Sequence, residues 1–287
     1  MKKILLLLGV LTVVILNCSK EGSNVGEKKE KNGVKKYRIG ITQIISHPAL
    51  DVAKQGFKDE LKEEGIDVEY DEENANGEIT TANMIASNFV NSKKDLIYSI
   101  ATTSTQSVSQ STGTIPIVFS AITDPKSSGI MKENVTGISD RVDIKKQLEL
   151  LLKIDNKIKK IGTMYNSSEP NSKIQIENLK KVASELGLTV IEKSVSQMSE
   201  IPQVADITIR ESDALYLLTD NLVASVINLI TGKAVASKKI VFGSELAHVK
   251  GGALITQGID YYSMGREAGK IAIDILKNNK NVNNEKY

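Results

Sequence analysis

The chain has 287 residues, 40% apolar and 25% charged, enough to bury one or two cores of ordinary size. Its 37 basic and 35 acidic side chains are interspersed, leave a net charge of +2, and come with only 4% aromatics and no Trp, which argues against a nucleic-acid partner. Two distant histidines and one cysteine give no metal-ligand cluster, and no cofactor is expected.

Met1-Lys-Lys followed by the apolar run Ile4 to Leu16 reads as an export signal, since the run is too short to span a bilayer comfortably. It ends at Ile15-Leu-Asn-Cys18, the single cysteine, so no disulfide can form within the chain. This end resembles the lipobox of bacterial lipoproteins, which implies acylation of Cys18; Asn17 stands where that pattern has a small residue. An ordinary cleaved signal with a chance cysteine is the alternative. Residues 19–36 are polar and too poor in aliphatic side chains to offset their own ordering entropy, so a flexible tether is expected.

From Tyr37 onward, strand and helix patterns alternate. A strand at Tyr37 to Thr42 precedes a helix opened by His47-Pro48, with Leu50, Ala53, Phe57 and Leu61 on one face. There follow a strand at Asp67 to Tyr70, a helix near Glu78 to Asn91, a strand at Asp95 to Ile100, a helix near Thr103 to Ser111, and a strand at Ile115 to Ser120. The last of these stops at Thr123-Asp124-Pro125, where Asp124 reads as a helix N-cap with Pro125 at the first helical position. Ala121 to Asp140 reads as a polar crossing to a second lobe.

Beyond it the rhythm returns, with helices near Val142 to Lys153, Pro170 to Leu186, Pro202 to Arg210 and Asn221 to Thr231. The intervening strands are Ile158 to Tyr165, Leu188 to Glu192, Ala214 to Leu218, Ile240 to Phe242 and Ala253 to Thr256. A final helix spans Tyr261 to Leu276. This pattern predicts an α/β fold of two lobes, each a parallel sheet covered by helices on both faces. The first lobe is expected at 37–121, completed by 259–287, and the second at 122–258.

Ligands of open parallel sheets bind at the carboxyl edges of the strands. The loops there are Gln43 to His47, Ala101 to Thr105 and Ala121 to Asp124 in the first lobe. In the second they are Asn166 to Asn171, Thr219 to Asn221, and Ser244-Glu245. Several ordered segments together carry a resemblance: Gln43 with His47-Pro-Ala-Leu-Asp51, Ser120 to Pro125, Asn134 to Asp140, Tyr165 to Glu169 with Asn171-Ser172, Thr219-Asp-Asn221, and Gly258 to Tyr262 with Gly265. They resemble the ABC-transporter substrate-binding lipoproteins that include tryptophan- and tyrosine-binding proteins, over nearly all of residues 37 to 278.

The resemblance implies a type I periplasmic-binding-protein fold, an exported and lipid-anchored monomer, a small solute such as an aromatic amino acid, and a permease partner. It also implies a third crossing and a further strand after the final helix; ending at Tyr287, this sequence is expected to have a hinge of two segments. An amino-acid ligand would need an anion for its ammonium, for which Asp220 and Glu169 are candidates and Glu245 a weaker one. Helix capping is the alternative role of each. Thr102, Thr103 and Thr123 with helix N-terminal amides suit the carboxylate. Gln43, His47, Ala121, Asp124, Asn166, Ser167, Ser168, Asn221 and Tyr261 complete the expected contacts, while Tyr98, Phe119, Tyr165, Tyr216 and Phe242 are either apolar walls or core. A sensing lipoprotein and an exported enzyme using His47 and Asp124 as acid and base are the competing readings; the Gly-rich phosphate-binding patterns are missing.

Overall fold

The structure, a computed structural model, describes residues 35–278 and Val282. The expected signal, Cys18 and most of the tether lie outside the described residues. Among the described residues no helix is long and apolar enough to cross a membrane.

The first sheet is parallel, with β1 (Tyr37–Gln43), β2 (Val68–Asn74), β3 (Leu96–Ile100), β4 (Ile117–Ile122) and β5 (Val135–Ser139) in the order β2-β1-β3-β4-β5. All of β3 and β4 is buried, because helices cover both faces of the central strands. β2, with sequence VEYDEEN, lies at an edge and keeps its acids in solvent, which discourages pairing with a further strand. The covering helices are α1 (Pro48–Glu63), α2 (Ile79–Asn91) and α3 (Thr102–Ser111).

The second lobe contains α4 (Ile144–Ile154), β6 (Lys160–Asn166), α5 (Pro170–Glu185), β7 (Thr189–Val195) and α6 (Ile201–Glu211). It continues through β8 (Ala214–Leu217), α7 (Asn221–Ala224), α8 (Ile227–Ala236), β9 (Ile240–Gly243), α9 (Leu246–Lys250) and β10 (Ile255–Thr256). Its strands are parallel in the order β10-β9-β8-β6-β7. Separate apolar clusters fill the two faces of this sheet, one around Leu215, Leu217 and Val241 and the other around Ala214, Tyr216 and Phe242.

Four expectations need correction. Val135–Ser139 is a fifth strand of the first sheet rather than part of a crossing, so that sheet extends past Ala121 to Ser139. This edge strand is short and polar, which hides it among turn residues. Asp124 caps no helix: its carboxylate accepts from the Ser127 amide at 2.9 Å and hydroxyl at 2.8 Å, closing a surface turn. The segment from Asp124 to Gly129 has no apolar face to bury, so a helix there would gain nothing by packing. The run after Asp220 breaks at Ser225-Val226 into α7 and α8, and the Ser225 hydroxyl bonds back to the Leu222 carbonyl at 2.7 Å. Finally, the loop after Glu245 contains the short α9.

α10 (Tyr261–Asn278) follows the second lobe in sequence but packs on α1 of the first. A Cβ at Gly265 would lie 2.0 Å from the Ala53 carbonyl oxygen, and one at Gly56 2.2 Å from that of Tyr262. Glycine at both places therefore permits the close approach of the helices. Arg266 fastens them from the exposed side, forked onto Glu63 at 2.7 and 2.6 Å and reaching Glu60 at 2.5 Å. Replacing Gly265 by Ala is expected to cost about 1–3 kcal/mol in urea unfolding through overpacking. Gly113→Ala, whose added carbon meets nothing within 4 Å, should change stability by less than about 0.5 kcal/mol.

Candidate functional site

The carboxyl edges of the two sheets face each other across a cavity of about 320 Å³. The first lobe contributes Ile44, Ile45, Asn76, Gly77, Glu78, Ile79 and Thr103, from the loops after β1 and β2 and the start of α3. The second contributes Asn166, Ser168, Glu169, Ser196, Gln197, Met198, Asn221 and Leu222. Its lining is thus part aliphatic and part polar, and contains no Lys or Arg. A separate inner cavity of about 10 Å³, roughly the space of one water, is lined by His47, Leu50, Ala121, Asp140, Asn171, Thr219, Asp220, Asn221, Ala224, Glu245 and Tyr261. Asn221 lines both cavities.

Glu169 and Asp220 organise the second-lobe side. Glu169 Oε2 accepts from the Asn221 amide at 3.0 Å, Asn221 Nδ2 at 2.6 Å and Asn171 Nδ2 at 3.2 Å. Its Oε1 accepts from the Leu222 amide at 3.1 Å and Asn166 Nδ2 at 3.3 Å. Asp220 caps α7 through the Val223 amide at 2.9 Å and also accepts from the Asn166 amide and Ser172 hydroxyl, both at 2.6 Å. Glu169 thus caps α7 from another loop while lining the main cavity. Asp220 is fully buried and reaches only the inner cavity. Burial first, and the Asp220 charge second, push Glu169 up to about 7, and burial likewise raises Asp220. Donors lower both, but supply no full counter-charge.

On the first-lobe side, Thr103 lines the main cavity at the first turn of α3. The residue preceding that helix, Ala101, has no side chain to cap it, so the first-turn amides remain for a ligand. Ala101 sits at φ 74° and Ala121 at φ 60°, a sparsely populated region for alanine, at the carboxyl ends of β3 and β4. The pairing of β4 with β5 shifts between Ser120 and Ile122 around Ala121. Such local strain at two adjoining strand ends, both aimed at the interlobe region, sets the backbone for the site at the expense of stability.

Several expected contacts fall elsewhere. Gln43 turns back to Asp51 at 2.9 Å and the Ile45 carbonyl at 3.2 Å, bracing the loop after β1. Thr102 is buried with an unpartnered hydroxyl and lines none of these cavities, and the Ser167 amide is used by the Val195 carbonyl. Thr123 and Asp124 border a third cavity, of about 90 Å³, beside Arg141. Thr123 Oγ1 also meets Thr219 Oγ1 of the other lobe at 3.5 Å. His47 Nε2 lies 3.3 Å from Asn221 Oδ1, a second bridge between lobes, and burial pushes this imidazole down to about 4. His47 and Asp124 border different cavities, so the acid–base pair of the enzyme reading is not assembled.

Tyr98, Phe119, Tyr216 and Phe242 are fully buried core, with Phe57 and Tyr98 stacked at 3.9 Å. His248 is fully buried. The residues that sequence reasoning missed are chiefly the aliphatic ones, Ile44, Ile45, Ile79, Met198 and Leu222, and the buried Asp140. Asp140 closes the Asn134 to Asp140 segment that sequence reading singled out; nothing periodic marks the aliphatic residues, which belong to loops and to the first turns of helices.

A family model described as ABC transporter substrate binding protein matches residues 38–286. The tyrosine-binding protein of Clostridioides difficile is 41% identical over 291 aligned positions, covering 96% of this chain and 84% of the relative. Among solved structures, a Streptococcus pneumonia protein in complex with L-Trp has a TM-score of 0.80 at 34% identity, with 85% and 86% of the two chains covered. The ligand-free, open structure of a Clostridium difficile substrate binding protein with adhesive properties has a TM-score of 0.64 at 40% identity, with 87% and 88% covered. The two-lobed architecture is that of type I periplasmic binding proteins.

Truncating Asp220 strands three donors in a fully buried place. Asp220→Ala should lose about 3 kcal/mol or more of stability in urea unfolding, whereas Ser168→Ala at the cavity wall should stay within about 0.5 kcal/mol.

Proposed function

The chain belongs to the ABC transporter substrate binding protein family, and from that premise we propose that it carries an aromatic amino acid, held between its lobes, to its permease. The observation that carries the ligand class is the charge balance of the main cavity. Glu169 forms part of its wall, Asp220 stands behind, and no basic side chain faces either across it. A solute bearing an ammonium supplies the missing counter-charge. Opposite, Thr103 and the uncapped first turn of α3 suit a carboxylate. Ile44, Ile45, Ile79, Met198 and Leu222 then surround an apolar side chain, and about 320 Å³ lies within the range of small-molecule sites. The ligands named for the two similar proteins, tyrosine and L-Trp, support an aromatic one.

The lobe arrangement fits a receptor that closes on its solute. Overall geometry agrees better with the L-Trp complex than with the open ligand-free structure, although the open protein is more similar in sequence. His47–Asn221 and Thr123–Thr219 are the polar contacts that join the lobes in this closed arrangement. Ligand binding then shifts the population toward a form the permease recognises. Outside the cytoplasm the domain is held by acylated Cys18 and the polar tether of residues 19–36; Cys18→Ser should abolish incorporation of labelled palmitate.

Because the chain contains no tryptophan, the emission of bound L-tryptophan reports on the ligand alone. Saturable binding of L-tryptophan or L-tyrosine is expected, with stabilisation of about 2.7 kcal/mol at a hundredfold excess over Kd. Indole-3-propionate, which lacks the ammonium, should bind far more weakly, and Glu169→Gln should weaken L-tryptophan binding about tenfold, or 1.4 kcal/mol. Failure of L-tryptophan, L-tyrosine and L-phenylalanine alike to bind would overturn the reading.

A further inference from the structure

Within the hinge lies a group of titratable side chains that the main cavity does not use. Asp140 follows β5 in the crossing to α4, Tyr261 begins α10 after the return crossing, and Glu245 stands between β9 and α9. Their residues are 4%, 4% and 2% exposed, and all three line the inner cavity. From the first lobe His47, Leu50 and Ala121 close that cavity over them; from the second, Asp220, Asn171 and Thr219 face it. His248 of α9 lies behind, its Nε2 3.1 Å from Glu245 Oε1 but without the alignment of a hydrogen bond. Among the described residues no Lys or Arg lines the cavity.

Counting protons decides what this group can be. The Tyr261 hydroxyl donates to Asp140 Oδ2 at 2.7 Å, and Glu245 is the other carboxyl at this cavity beside them. A phenol has one proton. With that proton directed at Asp140, it is not available to an ionised Glu245, which lines the same cavity. Two ionised carboxyls in one desolvated space would repel each other strongly. Asp140 Oδ1 and Glu245 Oε1 have no hydrogen-bond partner among the described residues, and no Lys or Arg lines the cavity there to balance a second charge.

We infer that Glu245 is a proton-binding site that fills when the lobes close, so that solute is bound together with one proton. The inference rests on the closing motion of the proposed function, though not on which solute drives it. Opening draws His47, Leu50 and Ala121 away and admits water to Glu245, whose acidity then returns to the ordinary carboxylate range. In the closed form burial, followed by the Asp140 charge, pushes Glu245 up to about 8. Between those limits the closed form holds a proton that the open form lacks, so closure weakens as pH rises.

Neither histidine nor Tyr261 titrates between pH 7 and 8. Burial pushes His47 and His248 down to about 4 and 3, so both are neutral there; their own contribution would be proton release at lower pH, of opposite sign. Tyr261 is raised well above its ordinary range and stays a phenol, while Asp140, also raised by burial, keeps the Tyr261 proton as its donor. Glu169, pushed up to about 7, and Asp220, also raised, take their donors from their own lobe, but Glu169 lines the main cavity between the lobes, so the Glu245 response is read as the difference between the unaltered chain and Glu245→Gln.

The test uses the full chain carrying Cys18→Ser, with spin labels on Asn83→Cys of α2 and Lys181→Cys of α5, both exposed. Interlobe distances measured without ligand should show the closed-to-open ratio falling about fivefold between pH 7 and 8, and a further tenfold between pH 6 and 7 should separate those forms. Glu245→Gln, which keeps the size of the side chain and removes its titrating proton, should abolish the response between pH 7 and 8. An unchanged response in that variant, or a flat one with Glu245 present, overturns the inference. Calorimetry of L-tryptophan binding in phosphate and in Tris at pH 7 should show proton uptake in the unaltered chain that exceeds that of Glu245→Gln by about one proton, a difference in which the Glu169 contribution cancels, and equal values for the two would overturn the inference. Absence of any L-tryptophan binding counts against the proposed ligand alone, because the distance measurement decides the proton site without it.

Discussion

A carboxylate taken out of water must be surrounded by donors, and in this protein two of them, Glu169 and Asp220, are buried at one sheet edge without a basic partner. That constraint shapes the second lobe. Glu169 gathers the amides of Asn221 and Leu222 and the side chains of Asn166, Asn171 and Asn221, while Asp220 gathers the amides of Asn166 and Val223 and the Ser172 hydroxyl. The loops after β6 and β8 are thereby laced together before any solute arrives. Preorganised hydrogen bonding of this kind fixes the direction of the cavity wall, and the unbalanced charge that remains is what a cationic solute can answer.

The first lobe meets a different constraint. Its elements are separated in sequence by the whole second lobe, so α10 must return and pack against α1, where Gly56 and Gly265 allow backbone to approach backbone. Arg266, bonded to Glu60 and Glu63 of α1, holds the end of the second crossing to the body of the first lobe. Tyr261, five residues earlier on the same helix, bonds Asp140 of the first crossing. The two crossings are thus joined to each other by one phenol–carboxylate bond and to the first lobe by a rigid helix pair, which restricts relative motion of the lobes to the crossings themselves.

These differences in constraint explain which parts of the molecule could be read from residues alone. Central strands such as β3 and β4 announce themselves because both faces are covered and nearly every side chain must be apolar. The helix faces of α1 and α10 and the location of the site at the strand carboxyl edges follow from the same alternation. β5 escaped because an edge strand reading Val-Thr-Gly-Ile-Ser resembles a turn, and its misreading carried the lobe boundary with it. Within the loops, residue type marks chemistry but not direction: Gln43 turns to Asp51, Asp124 folds onto Ser127, and Thr103 rather than Thr102 reaches the main cavity. The positive φ of Ala101 and Ala121 could not be anticipated, since alanine carries no preference for that conformation.

The two cavities divide the work that a closing receptor has to do. The larger one, proposed to take the solute, draws most of its aliphatic surface from loops and first turns, which can adjust to a side chain without disturbing either core. Such loops discriminate by shape and by charge balance. The smaller one is bounded by residues of both lobes and of the crossings at Asp140 and Tyr261, so the proposed closing motion would change its hydration whichever solute drives it. Asn221 belongs to both: its side chain donates to Glu169 at the solute wall and meets His47 across the lobes. A solute that repositions Glu169 therefore also acts on the contact that holds the closed form, which gives a short physical path from ligand charge to lobe closure.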